Sequence, residues 1–479
     1  MALAVVAGAL RSFAAQAQPV AASAGKLEVV RTDTIKDPRD SKWREFTSPV
    51  NELVSITNAA HWDYQRERVY FRSSRLKRHR KQKRPMPGNV WRVDKIVEIG
   101  PPSACPQCKG KARRKGQPRS RAVQELIWGR FSLRRRVVQY VYQPCWCSRC
   151  KLVFGIEQNL MRRGKHRKHG RSLIAYIFYH AIELYIPLQV LAQSVRRLFG
   201  LMLNTGTLAY FKRQLADYYS ATHRQILDRI LSGSLVHADE TNANVKGKRA
   251  YVWVFTNMHE VVYLYSETRE AAVAQATLGA FNGVLVSDFY AAYDGLNCPQ
   301  QKCLIHLVRD LNGKLLDHPF DDELKGIVQA FGVLLKTIID AVDRHGLKRR
   351  FLHKYGILVR RFYRELVDVD YQSAAATACK ERFQKNRNRL FTFLEHDGVP
   401  WNNNNAEHAI KAFARLRDVI GGCSTEPSIR EYLVLLSIYQ TCKYQNVDFL
   451  DFLRSGETDI RSFARRQPRP RKEAMCQPF

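Results

Sequence analysis

Between residues 234 and 310 the hydrophobic period of the chain changes, and this change limits the available folds more than any other feature. SLVHADETNANV, KRAYVWVFTN and EVVYLYSE alternate at the period of strands with turn-length gaps between them, so they read as an antiparallel meander. AAVAQATLGAF follows with helical spacing. GVLVSDFYAAYD then reads as an apolar strand that ends in an acid, and QKCLIHLVRDL as a strand leading into a helix. Three antiparallel strands, a helix and further strand–helix units specify an α/β fold built on one mixed sheet.

That order is the order of a ribonuclease-H-like sheet. In such a sheet Asp239 lies on the first strand and Asp288 at the end of the fourth, adjacent in space. Two carboxylates emerging side by side from apolar strands are costly unless compensated, and a divalent cation is the economical compensation. Glu240 is expected on the opposite face, because neighbours on a strand alternate. Residues 313–396 read as long helices with basic polar faces. VPWNNNNAEHAIKAFARLRDVIGG comes after them. Its Asn run supplies helix capping, and Glu407 falls in the first turn of the next helix, able to point back towards the two aspartates. Two Mg²⁺ (or Mn²⁺) ions about 4 Å apart, held by Asp239, Asp288 and Glu407, would stabilise the attacking and leaving oxygens of a phosphoryl displacement. Mg²⁺ suits that work because it takes few protein carboxylates and keeps positions open for phosphate and water.

Upstream of this region the cysteines are informative. Five of the eleven lie between Cys105 and Cys150, with Cys105/Cys108 and Cys147/Cys150 spaced C-x-x-C, and the rest are scattered singly. This is metal spacing rather than a disulfide framework. Two such knuckles fill a tetrahedral shell for one structural Zn²⁺ and leave no position open for catalysis. Cys145 is a spare thiol that either replaces Cys147 or is simply buried. Tyr140, Tyr142, Trp146 and Phe154 alternate around the second pair, as in a small ribbon.

From Arg171 to Leu231 apolar residues recur at three and four. Pro187 opens one helix, Gly200 closes it, and Asn204 to Gly206 makes a cap and turn before another that begins near Thr205. The pair fits a helix-turn-helix entering a major groove, and equally a helical hairpin packed in a core. Charge bears on the choice. The 479 residues include 78 Lys and Arg against 44 Asp and Glu, a formal net charge of +34. A polyanion is the natural partner for that excess, since each neutralised phosphate releases a counterion. The run RLKRHRKQKRPMP within the basic stretch from Arg66 to Arg84 reads as an arm lying on phosphates or as a solvated linker, the cluster Arg162, Arg163, Lys165, Arg167 and Lys168 tilts the helices after it towards DNA, and the tail RRQPRPRK reads as a solvated phosphate-binding extension. No stretch of about 20 apolar residues is present, so a spanning helix is excluded. MALAVVAGAL lacks a basic residue before a short apolar run and reads as an unimportant leader rather than an export signal, so a cytoplasmic location is expected.

HADET with KRAYVWVFTN, VLVSDFYAAYD, the C-x-x-H of CLIHLVRDL, VPWNNNNAEHAIK and the late YLVLLSIYQTCKYQNVDFLDFL together resemble the insertion sequence 66 family of bacterial transposases, from about residue 100 to 453. The resemblance implies an Asp-Asp-Glu site formed by Asp239, Asp288 and Glu407 on a ribonuclease-H-like fold. It also implies hydrolysis at transposon ends to free 3′-hydroxyls and transesterification into target DNA. A bacterial, nucleoid-associated enzyme follows, acting as a homo-oligomer on DNA with small accessory proteins of the same element. The chain departs from the family pattern at Asn242 and Ala243, where Gly-Trp is usual. It departs again at His408, where Arg is usual, and at Lys411 and Ala412, where Arg-Pro is usual. The alternatives are a catalytically decayed, transposase-derived DNA-binding protein, or a ribonuclease-H-like nuclease that cuts without joining.

Three further residues are candidates for auxiliary roles. His306, one helical turn before Asp310, either contacts phosphate or a metal ligand or is a buried, satisfied histidine. Trp401 either stacks on a splayed base or anchors its loop in the core. His408 flanks the acid. The expected division is a leader and basic arm (1–100), a zinc module (101–156), a helical DNA-binding region (157–232), the first part of the core (233–312), the helical insertion (313–396), the final core helices with Glu407 (397–460) and a basic tail (461–479).

Overall fold

The computed structural model describes residues 92–129, 132–154, 168–420 and 425–466. The expected leader and basic arm up to residue 91, including Arg66–Arg84, lie outside the described residues, as do Arg162, Arg163, Lys165, Arg167 and the tail beyond Arg466.

The first strands are β1 (Lys95–Ile99), β2 (Arg113–Arg114), β3 (Arg119–Trp128), β4 (Leu133–Tyr142), β5 (Cys145–Trp146) and β6 (Val153–Phe154). β3 and β4 form a hairpin registered from Arg119↔Tyr142 to Trp128↔Leu133, and β1 joins β4 in parallel. The short β2, β5 and β6 make a separate sheet in the order β2-β5-β6. Two loops beside that sheet have the same shape. Lys109, after Cys108, and Lys151, after Cys150, both take positive φ (58° and 52°). Each loop is closed by a backbone bond, from Cys105 N to the Gly110 carbonyl at 2.8 Å and from Cys147 N to the Leu152 carbonyl at 3.0 Å.

Helices follow: α1 (Arg171–Phe178), continued by a π turn over Tyr179–Glu183, then α2 (Leu188–Phe199) and α3 (Thr205–Leu231). Pro187 precedes α2, Gly200 ends it with φ +64°, and Asn204 caps α3 by accepting the Thr207 N–H. Along α3, Leu208, Phe211, Leu215, Tyr219, Ile226 and Ile230 are buried, so most of its length is committed to core packing.

The central sheet comprises β7 (Leu235–Val245), β8 (Lys248–Thr256), β9 (Val261–Ser266), β10 (Val284–Ser287) and β11 (Gln300–Lys302), with α4 (Ala271–Leu278) before β10 and α5 (Leu304–Asp317) after β11. Its order is β11-β10-β7-β8-β9. β7, β8 and β9 are antiparallel neighbours, and β10 runs parallel to both β7 and β11. The β7–β8 turn uses left-handed Lys246 and Gly247 (φ 53° and 82°), the twist that a two-residue hairpin needs. Alternation along β10 divides two cores. Leu285 joins the core of α1–α3, while Val284 and Val286 join that of the helices between residues 304 and 399.

Those helices are α5 with α6 (Asp322–His345), α7 (Arg349–Leu352), α8 (Gly356–Val367) and α9 (Ala374–Lys385). The stretch from Arg349 to Leu366, expected as one long helix, is broken by a tight turn over His353–Tyr355 just before Gly356, a residue of low helix propensity. The chain ends with α10 (Asn404–Ile420), α11 (Glu426–Tyr444), α12 (Phe449–Ser455) and α13 (Ile460–Arg466).

Both edges of the central sheet are closed by side chains. On the β9 edge, Ser437 Oγ of α11 accepts the Tyr263 N–H at 3.0 Å and Thr441 Oγ1 accepts the Val261 N–H at 3.1 Å. On the β11 edge, Gln301 Nε2 donates to the Leu390 carbonyl at 2.8 Å, its Oε1 accepts from Phe393 N at 3.0 Å, and Thr392 Oγ1 donates to the Gln300 carbonyl at 2.6 Å. A buried N–H left without a partner costs about 1–3 kcal/mol. The double change Ser437→Ala with Thr441→Val keeps shape but orphans two such groups. It is expected to lower stability by on the order of 2–4 kcal/mol, read as a lower denaturant midpoint at unchanged slope; a midpoint equal to the parent's would show that the hydroxyls do not carry this edge.

Candidate functional site

Asp239 and Asp288 meet because of strand register. β10 pairs with β7 through Leu285↔Val236 and Val286↔His237, so residue 288, just past β10, comes level with residue 239. Carboxylate oxygens of Asp239, Glu240 and Asp288 all lie within 4.8 Å of one another. Asp288 ends its strand by accepting the Tyr290 N–H at 3.0 Å, and Asp239 accepts the Glu240 N–H at 2.8 Å.

Glu240 corrects one expectation. Alternation gives it the opposite face of the strand, yet its carboxylate joins the aspartates at the end of the sheet. It is held there by Arg269, whose Nε and Nη2 donate to Oε1 at 2.9 and 2.5 Å, and by the Tyr293 hydroxyl, which donates to Oε2 at 2.6 Å. Arg269 in turn stacks on Tyr290 at 4.0 Å. Glu240 is therefore compensated by protein groups. Of the two aspartates, Asp239 carries the electrostatic load. Burial, then the charges of Glu240 and Asp288, push its carboxyl up to about 7, with Glu407 acting in the same direction. Lys302 on β11 is buried behind the site, with Nζ 3.3 Å from Ser287 Oγ and 3.3 Å from Asp294 Oδ1. Arg389 also reaches Asp294 Oδ1, at 2.7 Å.

Glu407 lies in the first turn of α10. It is near enough to raise Asp239, but it does not converge with the two aspartates within 4.8 Å. Its close neighbours are Cys303 and His306, at the start of α5, and donor atoms of these three residues lie within 4.8 Å of one another. His306 Nδ1 stands 3.8 Å from Glu407 Oε1, and both atoms are buried without a hydrogen bond. Trp401 packs partly buried against the helical core, and its carbonyl accepts the Leu304 N–H at 3.0 Å, so it anchors its loop. His408 is exposed.

The Asn run does more than cap a helix. Asn402 Oδ1 accepts the Asn404 N–H at 3.2 Å, an i to i+2 turn bond that leads into the helix. Asn403 is fully buried. Its side-chain N–H donates to the Ala238 carbonyl at 3.0 Å and its Oδ1 lies 3.1 Å from His237 Nδ1. Its backbone N–H donates to Cys303 Sγ at 3.3 Å, and its carbonyl accepts the Glu407 N–H at 3.1 Å. Asn405 Nδ2 donates to the Asn257 carbonyl at 2.9 Å, and its Oδ1 accepts from the Tyr444 hydroxyl at 2.8 Å. Sequence alternation sets Glu240 on the far face of its strand, and it gives Asn403 no role beyond that of a cap. The available signal for the second was a run of four asparagines where a cap needs one.

Away from the sheet, the sulfurs of Cys105, Cys108, Cys147 and Cys150 lie within 4.8 Å of one another, with Cys108 and Cys147 at 3.5 Å. Cys145 is buried outside that set, its thiol facing the Gln143 carbonyl at 3.6 Å. All-sulfur donors suit Zn²⁺, whereas the all-oxygen donors of Asp239 and Asp288 suit Mg²⁺ or Mn²⁺.

The model of the IS66 family of transposases matches residues 166–430, more than half of the chain. The chain is also similar to two proteins of Sinorhizobium fredii, both described as uncharacterized. It is 25% identical to y4jD over 416 residues, 78% of this chain and 79% of that protein. It is 26% identical to y4qI over 299 residues, 53% of this chain and 52% of that protein, so it spans about half of y4qI's length.

The raised Asp239 carboxyl has a measurable sign. It ionises near its ordinary 3.8 when unfolded and near 7 when folded, so the fold binds the proton more tightly. Its contribution to stability is full below pH 3.8 and is lost as pH rises to about 7. In Mg²⁺-free buffer, Asp239→Asn is expected to unfold at a higher temperature than the parent at pH 8, with the difference gone at pH 4. Adding Mg²⁺ should then raise the parent's midpoint and not the variant's. A variant less stable than the parent at pH 8 would remove the buried-charge account.

Proposed function

The chain belongs to the IS66 family of transposases, and from that premise we propose that it cuts DNA at the ends of a mobile element and joins the freed 3′ ends to target DNA. The observation that carries this reading is the meeting of Asp239 and Asp288 on adjacent parallel strands, with no cationic side chain bonded directly to either carboxylate among the described residues. Glu240, by contrast, is already neutralised by Arg269. Asp239 and Asp288, with Glu407 as the third acid, are the residues that would hold two Mg²⁺ or Mn²⁺ ions. Bound there, such ions would stabilise charge on the attacking and leaving oxygens of the displaced phosphate. The protein's own part is to position the carboxylates, through strand register for the aspartates and through Asn403 for the helix that bears Glu407.

A ribonuclease-H-like core is supported by the sheet order, in which the fifth, fourth, first, second and third strands lie side by side with only the first three antiparallel. A structural Zn²⁺ on Cys105, Cys108, Cys147 and Cys150 is supported by the convergence of their sulfurs and by the two matching loops. DNA as partner is supported by the net charge of +34 and the family. Contacts through α2 and the start of α3, in helix-turn-helix fashion, are the reading that leaves Arg196 and Arg197 a role on the exposed side of α2. Assembly of copies on DNA, accessory proteins of the same element and the sevenfold division of the chain belong to the same proposal.

A strand-transfer assay on DNA bearing the element's ends, with Mg²⁺, tests it. Asp239→Asn, Asp288→Asn and Glu407→Gln are each expected to lower joining by more than about 100-fold, since even outer-shell partners of a metal matter by 10- to 100-fold. Full joining by any of the three would remove that residue from the site, and cutting without joining would make the enzyme a nuclease. For the sulfur site, Cys147→Ser should lose one equivalent of Zn²⁺ by elemental analysis while Cys145→Ser retains it. The reverse pattern would exchange the roles of the two residues.

A further inference from the structure

Glu407 faces two neighbours whose chemistry the reading above does not use. Cys303 caps α5 and is fully buried. His306 follows three residues later on the same helical turn, and Glu407 arrives from the first turn of α10. One donor from each residue lies within 4.8 Å of the others. His306 Nδ1 and Glu407 Oε1 approach to 3.8 Å, too long for a hydrogen bond, and both are buried with no other partner. Two facing polar atoms left unpaired in this way carry a desolvation cost that a shared cation would remove. Cys303 Sγ accepts the Asn403 N–H at 3.3 Å, which fixes the sulfur at the head of α5. The side chains of His306 and Glu407 are 29% and 26% exposed, so the cluster borders solvent although the two facing atoms are covered.

We propose that Cys303, His306 and Glu407 form a second cation site, selective for a thiophilic divalent ion of the Zn²⁺ class, and that its occupation withholds Glu407 from Asp239 and Asp288. The donor set of one sulfur, one imidazole nitrogen and one carboxylate oxygen is that of a zinc site with an open position, and is poor for Mg²⁺. The three residues are separate from the four-cysteine site, so the two sites bind independently. The inhibitory consequence rests on Glu407 being the third acid of the DNA-cutting site; the binding itself does not.

The test uses the full chain with its four-cysteine site already loaded with Zn²⁺. Titration with Co²⁺ is followed by the thiolate-to-metal absorption in the near ultraviolet and the tetrahedral bands in the visible. One further equivalent is expected, with the absorption of a single thiolate. Cys303→Ser, which retains a hydroxyl to accept the Asn403 N–H, should lose the thiolate absorption and bind at least about tenfold more weakly. In the Mg²⁺-dependent cutting assay, Zn²⁺ at a concentration that fills the site should slow the parent about tenfold or more, given the weight of a lost metal ligand, while Cys303→Ser, compared with its own Zn²⁺-free rate, loses that sensitivity. No extra equivalent, or the same signal in Cys303→Ser, overturns the site and leaves a simple His306–Glu407 contact. Binding without inhibition overturns the competition for Glu407. If the parent cuts no DNA at all, the functional reading fails while the Co²⁺ titration still decides the site.

Discussion

One buried amide holds the candidate site together. Asn403 bonds the strand that carries Asp239 through the carbonyl of Ala238, takes the N–H of Glu407 on its own carbonyl, and gives its N–H to Cys303 at the head of α5. Segments more than 160 positions apart are thereby fixed through one residue. A buried amide in such a place is stable only while all its bonds are made, because each unmade one costs more than a made one contributes. The spacing between the strand acids and the helix acid is therefore set by this residue, whereas the spacing between the two aspartates is set by the sheet.

The electrostatics follow the same division of labour. Four acids lie around the corner where β7 and β10 meet, and among the described residues only Glu240 and Asp294 are paired with cationic side chains. Arg269 and Tyr293 satisfy Glu240, and Lys302 and Arg389 satisfy Asp294. Asp239 has no cationic side chain bonded to it among the described residues, and its raised carboxyl is the physical expression of that arrangement. Such a group binds a cation more tightly as the pH rises past the point where its proton leaves.

Most of the sheet was legible in the sequence, because strands with one face on each of two cores alternate or run apolar in ways that period alone reveals. The meander of residues 235–266, the two strands after it and the caps at Gly200 and Asn204 all follow from local chemistry. The placement of Asp239 beside Asp288 was readable because parallel register follows from element order. What was not legible depends on long-range pairing. Glu240 looked like a neighbour facing away until Arg269, 29 residues on, drew its carboxylate to the site. Asn403 looked like one cap among four, since nothing local distinguishes a cap from a buried clamp. Glu407 was found by resemblance rather than by period, and its turn towards Cys303 and His306 depends on how two helix starts face each other. The break before Gly356 was missed because a periodic apolar pattern continues across it.

The sealed edges of the sheet carry a consequence for how the chain is made. The partners that close β11 are residues 390–393, and those that close β9 are residues 437 and 441. A ribosome delivers the strands first and these partners long afterwards, at about 5–20 residues per second. Until those partners arrive, any pairing of the delivered strands leaves two borders uncovered, each a template for another chain. Neighbouring nascent copies on one message are the nearest such chains. The finished protein cannot extend its sheet by taking up a foreign strand, but the unfinished one can, so yield in cells will depend on translation speed and on chaperones that shield strand borders.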